Sequence, residues 1–423
     1  MPARAVASLL ASGLVLAGCG TVSKVRNLAF GPPSPYLSGY VGAVSADEPI
    51  AAQTGRDVLA RGGNAADAAA ATAFALSVTL PSRASLGSGG ACLAYRPDRK
   101  DPPEAFLFQP VAGSGGPHAD RPAAVPMMAR GIFLMQARYG SVGFDELVRP
   151  ASRLAHGGIT VSRAFADDLA AVSGPLLADP GAQAVFAPAG TPVKAGDQLV
   201  QPLLGETLDQ LAVAGAGDVY TGLLAQRLAE GATKAGGGLT TTDLRNALPS
   251  VETVQTVSRG NVEVGFSPAD GGLARSAFEG GDATRSGRLP ASTSFVVMDR
   301  DGGAVACDLT MNNLFGTGRI AGETGVVLAA SPARVSAPLL PAAIAFNASS
   351  RAFRAAVSGS GQGEAAAAVG SAMSNLLRGA PAAPVTDAGR VNSIACSKGL
   401  PGDSGSCVAA TDPRGMGLAT RPD

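Results

Sequence analysis

"AAQTGRDVLARGGNAADAAAATAFALSVTLP", residues 51–81, decides the reading of the fold. Its first half has helical spacing, with Val58 and Leu59 as the main apolar residues and a stop at Gly62-Gly63. Glycine ends helices because it enters the left-handed region without a Cβ clash. Asn64 then offers a side-chain oxygen to the unpaired N–H groups that open a second helix. That second helix is apolar nearly all round, and a helix without a polar face is buried on every side. Strand-like runs flank the pair, "YVGAVSADEP" (40–49) before it and "LGSGGACLAYRP" (86–97) after it. A fully buried helix beside strands predicts a layered sheet-and-helix architecture.

The rest of the chain is consistent with that reading. It has 423 residues, enough for one large domain or two ordinary ones. Lys plus Arg balance Asp plus Glu at 33 each, with no basic stripe, so a nucleic-acid partner is not expected. The 56 glycines and the absence of Trp imply packing by close backbone approach. Residues 123–247 read as mostly helical. Residues 259–290 are polar, rich in Gly, Ser and Arg and without a clear period, which predicts a flexible surface segment. Strands are then expected at 293–299, 303–310, 325–330, 340–346 and 353–358, followed by a helix at 363–378 and a Pro/Gly-rich tail from about 379. No tandem repeat is present.

The first residues, "MPARAVASLLASGLVLAGCG", hold one charge (Arg4) and a short apolar run, too short to span a bilayer, and read as an export signal. Leu16-Ala17-Gly18-Cys19 resembles the bacterial lipoprotein box. It implies a signal peptide over 1–18, acylation at Cys19, a Gly/Pro/Ser tether over 19–40 and a lipid-anchored protein on the periplasmic side of the envelope, the outer membrane rather than the inner. In that oxidising compartment Cys396 and Cys407 flank a Gly/Ser/Asp loop and are the natural disulfide pair. Cys92 and Cys307 sit in apolar runs, where a buried free thiol is the default. Two histidines, His118 and His156, and no Cys-x-x-Cys argue against a metal site, and no cofactor motif is present.

Two segments carry candidate nucleophiles. "GDSGSC" (402–407) has the Gly-Asp-Ser-Gly setting of trypsin-like proteases, but that chemistry needs a His base oriented by an Asp from an upstream β-barrel. In an α-rich chain with two histidines it reads as a disulfide-closed turn. "LPASTSFVVMDRDGGAVAC" (289–307) places Ser292, Thr293 and Ser294 directly before a buried hairpin whose turn is Asp299-Arg300-Asp301-Gly302.

Gly62-Gly63-Asn64-Ala65-Ala66-Asp67-Ala68 and its surroundings resemble the N-terminal region of gamma-glutamyltranspeptidases. The likeness continues in order through "AVPMMARG", "RYGSVGFDELVRPASRLAHGGITVS", "GDVYTGLLAQRLAEGATKAGGGLTTTDL", the hairpin at 289–307, "TMNNLFGTGRIAGETGVVL" and "VSGSGQGE". It covers roughly residues 40–378. It implies an N-terminal-nucleophile hydrolase: an α/β fold, a four-layer αββα sandwich, made as a precursor that cuts itself into a large-subunit-like region (41–291, of which 259–291 is the flexible pre-cleavage segment) and a small-subunit-like region (292–423). The two pieces would associate as a heterodimer acting on a small amide or peptide in glutathione metabolism. The freed residue supplies its hydroxyl as nucleophile and its α-amine as base. A free α-amine has a reference pKa of about 7.7–8.0, suited to accepting a proton near neutrality.

Residue by residue, counting back seven positions from Asp299 puts the nucleophile at Ser292, with Thr293 as fallback after a shift of register. The family's Asn before Phe-Gly falls on Asn312. The glycine pair whose backbone amides form the oxyanion site becomes Gln362-Gly363. In the substrate pocket the motif's His becomes Ser294, the carboxylate-clamping Arg becomes Gln109, and the amine-holding Asp becomes Arg334. The family's paired serines fall near Ala337 and Pro338. Two readings follow. One is an amide hydrolase or acyltransferase autoprocessed before Ser292, with a substrate altered from γ-glutamyl. The other is an inactive family member serving the envelope as a binding or structural lipoprotein.

Overall fold

In the computed structural model, which describes residues 36–115, 119–283, 291–335, 339–384 and 387–420, the stretch quoted above folds as two helices. Helix α1 (Pro49–Ala60) opens on Glu48, whose carboxylate accepts the Ala51 N–H at 2.8 Å. Helix α2 (Ala65–Thr79) opens on Asn64. Its Oδ1 accepts from Ala66 and Asp67, while Asp67 accepts from the Asn64 N–H at 3.0 Å. This reciprocal box satisfies donors that a helix start otherwise leaves bare. Every residue of α2 is buried. A Cβ on Gly55 of α1 would lie 2.3 Å from Thr72 Oγ1 of α2, so the helices meet this closely only because glycine is there.

Residues Gly39–Asp423 form one unit built on two antiparallel sheets. The first runs β17 (Leu418–Ala419), β1 (Gly42–Ala46), β11 (Ser292–Asp299), β12 (Ala304–Thr310), β2 (Gly89–Tyr95), β3 (Glu104–Phe108), β8 (Ser250–Thr253). The second runs β16 (Cys407–Thr411), β15 (Arg390–Leu400), β14 (Phe353–Ser360), β13 (Ala342–Asn347), β10 (Val262–Phe266), β9 (Thr256–Arg259). Two short ladders pair β4 (Val111–Ala112) with β5 (Ala124–Val125) and β6 (Ile159–Thr160) with β7 (Gln198–Leu199).

Strand alternation sorts the layers. Phe295, Val297, Val305, Cys307 and Leu309 of the first sheet pack against α2 and the helices of the middle region. Val296, Met298, Ala304 and Ala306 face Ile344, Phe346, Ala356 and Ile394 of the second sheet. Ala343, Ala345, Ala355 and Val357 turn outward onto helices Leu273–Phe278 and Ala365–Leu377. The order helix, sheet, sheet, helix is the expected four-layer α/β sandwich.

Four expectations need correction. Residues 259–283 are not a floppy loop: β10 lies between β9 and β13, and Ala274 and Phe278 pack on the helix 365–377. The polar composition reflects β10's short, half-buried run rather than disorder, and residues 284–290 lie outside the described residues. Residues 325–330 make isolated bridges, not a strand. The Gly/Pro-rich tail supplies β15 and β16, which complete the second sheet. Cys92 and Cys307 are not free thiols: they lie directly opposite in the β2–β12 register and are bonded. The Cys396–Cys407 bond joins β15 to β16 as expected. Cys19, the 1–18 signal and His118 lie outside the described residues, as do most of the 19–40 tether and Pro338 and Ala337.

Candidate active site

Strand β11 starts at Ser292, with Ser292 opposite Thr310 and Ser294 opposite Asp308 on β12. Its far end is fixed by Asp299. That carboxylate accepts from the Ala65 N–H at the start of α2 (3.0 Å) and from Gly303 (2.8 Å) and Asp301 (3.0 Å) in the hairpin turn. Burial nevertheless pushes its pKa up. The helix pair and the candidate nucleophile strand are therefore joined through one side chain.

At the near end, the carbonyl of Ala291 accepts two hydrogen bonds, from the Met311 N–H at 3.0 Å and from Thr310 Oγ1 at 3.2 Å. Thr310 Oγ1 also accepts the Asn312 N–H at 3.0 Å, which leaves its own proton to point at Ala291. Ser292 is fully buried, and its Oγ has no hydrogen-bond partner. Asn312 sits at φ +61°, a conformation Asn tolerates better than most residues. It donates Nδ2 to the Ala330 carbonyl at 2.8 Å, and its Oδ1 is buried without a partner. The Thr310 hydroxyl and the Met311 N–H thus converge on the carbonyl of the peptide bond that joins Ala291 to Ser292, with Asn312 held to the Ala330 carbonyl instead.

A second cluster centres on Asp47, just after β1. Its Oδ2 accepts from Thr293 Oγ1 (3.1 Å), the Ser294 N–H (3.0 Å) and Ser360 Oγ (3.0 Å), and its Oδ1 accepts from Asn392 Nδ2 (2.7 Å). The Thr293 hydroxyl is thereby committed to a carboxylate. Ser294 is also tied down, since its Oγ takes Asn392 Nδ2 at 2.9 Å and donates to the Ser358 carbonyl at 3.4 Å. Ser360 ends β14. Gly361 follows at φ +106°, where a Cβ would strike the Ala388 carbonyl at 2.3 Å. Gln362 and Gly363 then open the turn Gln362–Glu364 ahead of the helix 365–377, so their backbone N–H groups lie at a helix start, where anionic oxygen is favoured. Asp47 links that strand end to the nucleophile strand. A cavity of about 400 Å³, lined in part by Asp47, Arg83, Ser360, Gly361, Arg390 and Arg414, opens beside it. Arg83 is already bonded to Asp168 through Nε and Nη2, each at 2.7 Å, and Arg414 to Asp412.

The two residues expected at the clamp lie just after β3 and on the turn that follows Ser331. Gln109 is half-buried and makes one long contact, Nε2 to the Ala269 carbonyl at 3.5 Å. Arg334 is exposed on the turn after Ser331. Sequence reasoning missed Asp47, Thr310, Ser360, Asn392 and Asp308. The last carried a readable signal: a carboxylate inside the apolar run "AVACDLT" (304–310) at an inward position of the alternation. Among the described residues no group of side chains has a metal-binding arrangement.

The gamma-glutamyltranspeptidase family model matches residues 51–279. The chain is 27% identical over 405 residues to the glutathione hydrolase proenzyme of Escherichia coli (strain K12), covering 71% of this chain and 70% of that protein. It is 31% identical over 240 residues to the glutathione hydrolase proenzyme of Bacillus subtilis (strain 168), covering 51% of this chain and 40% of the relative. In fold it superposes on a cephalosporin acylase from Bacillus halodurans with a TM-score of 0.74 at 18% identity, covering 92% of this chain and 99% of the other. The Helicobacter pylori gamma-glutamyltranspeptidase gives 0.52 at 25% identity, covering 60% and 78%.

Proposed function

Since the chain belongs to the gamma-glutamyltranspeptidase family, we propose that it is an amide hydrolase or acyltransferase activated by cutting itself between Ala291 and Ser292. The observation that carries this reading is the pair of donors on the Ala291 carbonyl beside an unpartnered Ser292 hydroxyl. Attack of Ser292 Oγ on that carbonyl carbon puts negative charge on the oxygen. The Met311 N–H and the Thr310 hydroxyl already point at it, which is electrostatic stabilisation without reorganisation. Collapse breaks the C–N bond, moves the acyl group to Oγ and leaves the Ser292 nitrogen as an amine. Water then hydrolyses the ester, freeing the Ala291 carboxylate and restoring the hydroxyl.

In the cut enzyme the Ser292 amine takes the hydroxyl proton as Oγ attacks a substrate amide, then returns it to the leaving amine. The helix-start N–H groups of Gln362 and Gly363 are proposed to receive the developing oxyanion. The cut pieces hold together because β1 of the first piece lies between β17 and β11 of the second, and β12 pairs with β2, so strands of the two pieces are interleaved in one sheet. The neutral Gln109 and the exposed Arg334 support a substrate other than a γ-glutamyl amide, since a buried zwitterion needs an opposite charge at each end. The test is a reduced gel and N-terminal sequencing. The wild type should appear as two pieces, one starting at Ser292, and Ser292→Ala as one. A wild-type chain that remains whole would refute the proposal.

A further inference from the structure

Four buried side-chain oxygens without a hydrogen-bond partner lie close together in sequence register on one strand pair or at its exit. Among the described residues, Ser292 Oγ, both carboxylate oxygens of Asp308 and Oδ1 of Asn312 lack any hydrogen bond, and all three residues lie on the paired strands of the reaction centre or at their exit. Ser292 and Asp308 are diagonal neighbours on the same face of the β11–β12 ladder, within reach of one elongated ligand group. Ala304 and Ala306, which share the alternation of Asp308, pack between the two sheets. The carboxyl therefore projects into the inter-sheet layer, the side on which Ser292 also lies. The two donors nearest it are spent elsewhere, the Ser358 hydroxyl on the Cys307 carbonyl at 2.8 Å and the Gly359 N–H on the Pro341 carbonyl at 3.1 Å.

Native proteins rarely leave a buried carboxyl without partners, and such a group calls for an explanation. Burial first, then the carboxylates Asp47 and Asp270, hold the pKa of Asp308 well above the usual range, against a smaller lowering by the nearby Ser358 hydroxyl and Gly359 N–H. The surroundings therefore have surplus negative character, and neither nearby donor is directed at the carboxyl. An ammonium group supplies both, and an adjacent cation returns the carboxyl to its ionised form.

We propose that Asp308 is a specificity-determining residue that binds an ammonium group on the acyl part of the substrate, so that the preferred amide carries this cation and no α-carboxylate. The proposal rests on Ser292 being the nucleophile, as proposed above, and adds the acyl class that the site selects.

The experiment uses the self-cut full chain and four anilides: 4-aminobutyryl, pentanoyl, glutaryl and γ-glutamyl p-nitroanilide. The expected kcat/KM for the 4-aminobutyryl compound exceeds that of its neutral pentanoyl isostere by about tenfold or more, the scale of a charge-assisted hydrogen bond, and exceeds those of the other two. In Asp308→Asn the ratio of 4-aminobutyryl to pentanoyl turnover falls towards one, with thermal melts of both proteins confirming a folded state. Hydrolysis with no advantage for the ammonium, or a ratio unchanged in the variant, overturns the subsite and leaves the catalytic reading standing. If the chain neither cuts nor hydrolyses any anilide, the catalytic reading fails, and calorimetric titration with 4-aminobutyramide decides the subsite. Binding lost in Asp308→Asn upholds it; absence of binding overturns it.

Discussion

Thr310→Val isolates the contribution of one hydroxyl to self-cleavage. Valine keeps the shape of threonine at a fully buried position and removes only the donor 3.2 Å from the Ala291 carbonyl. The Met311 N–H at 3.0 Å remains, so the oxyanion keeps one of its two stabilisers. Loss of one such donor costs about 10²–10³ in rate. The substitution has a second effect, because Thr310 Oγ1 is the acceptor for the Asn312 N–H. Leaving that donor buried and unpaired costs about 1–3 kcal/mol of stability. Thr310→Ser separates the two effects, since it restores donor and acceptor while deleting a methyl. The assay follows freshly synthesised precursor over time on reducing gels, with melting curves taken on the same samples. The expected order is wild type, then Thr310→Ser close behind, then Thr310→Val slower by two to three orders of magnitude. Cleavage of Thr310→Val at the wild-type rate would refute the oxyanion assignment. A Thr310→Ser variant as slow as Thr310→Val would show that packing, not the hydroxyl, sets the rate.

Three further outcomes are expected. Cys92 lies before the cut and Cys307 after it, so the cut enzyme, expressed with residues 1–18 retained, should run without reductant as one band near 41.7 kDa. With reductant it should run as pieces of about 29 and 13 kDa in proportion to length, and two bands without reductant would contradict that bond. Asp308→Asn should raise thermal stability at pH 7 relative to the wild type. Burial first, then Asp47 and Asp270, keeps the folded carboxyl protonated above the ordinary aspartate value, so the folded state holds a proton that the unfolded state has lost and wild-type stability falls as pH rises through that window. The gap between the two melting curves should therefore close as pH is lowered towards about 4, and a constant gap would refute this reading. Finally, we propose that Cys19 is acylated: Cys19→Ala should move the protein from the membrane to the soluble fraction of fractionated cells, and unchanged membrane retention would exclude the anchor.

The legible parts of this chain are those where one residue serves several local rules at once. Gly62-Gly63-Asn64 is stop, gap and cap together, and α2 follows from it. A count back from Asp299 proposes Ser292 as the nucleophile, and that count has a physical basis. Asp299 binds the hairpin turn and the first N–H of α2, so its distance to the strand start cannot drift without undocking the helix. The illegible parts depend on pairings between distant strands. Cys92 and Cys307 are 215 residues apart, and nothing local says that they face each other across a ladder. Asn392 lies in a tail whose composition suggests no structure, yet it contacts both Asp47 and Ser294.

Asp308 lies between these cases. Its charge in an inward position was readable, but its meaning depends on Ser292 being diagonal to it and on Asp47 and Asp270 being the charges that act on it. In sequence terms the family's clamp is lost at Gln109 and Arg334. In three dimensions the Asp308 carboxyl lies diagonal to Ser292, the proposed nucleophile. On the proposed reading, a pocket without those two clamp residues but with a carboxyl beside the nucleophile selects a different acyl group, and that is a different outcome from a pocket that has ceased to bind.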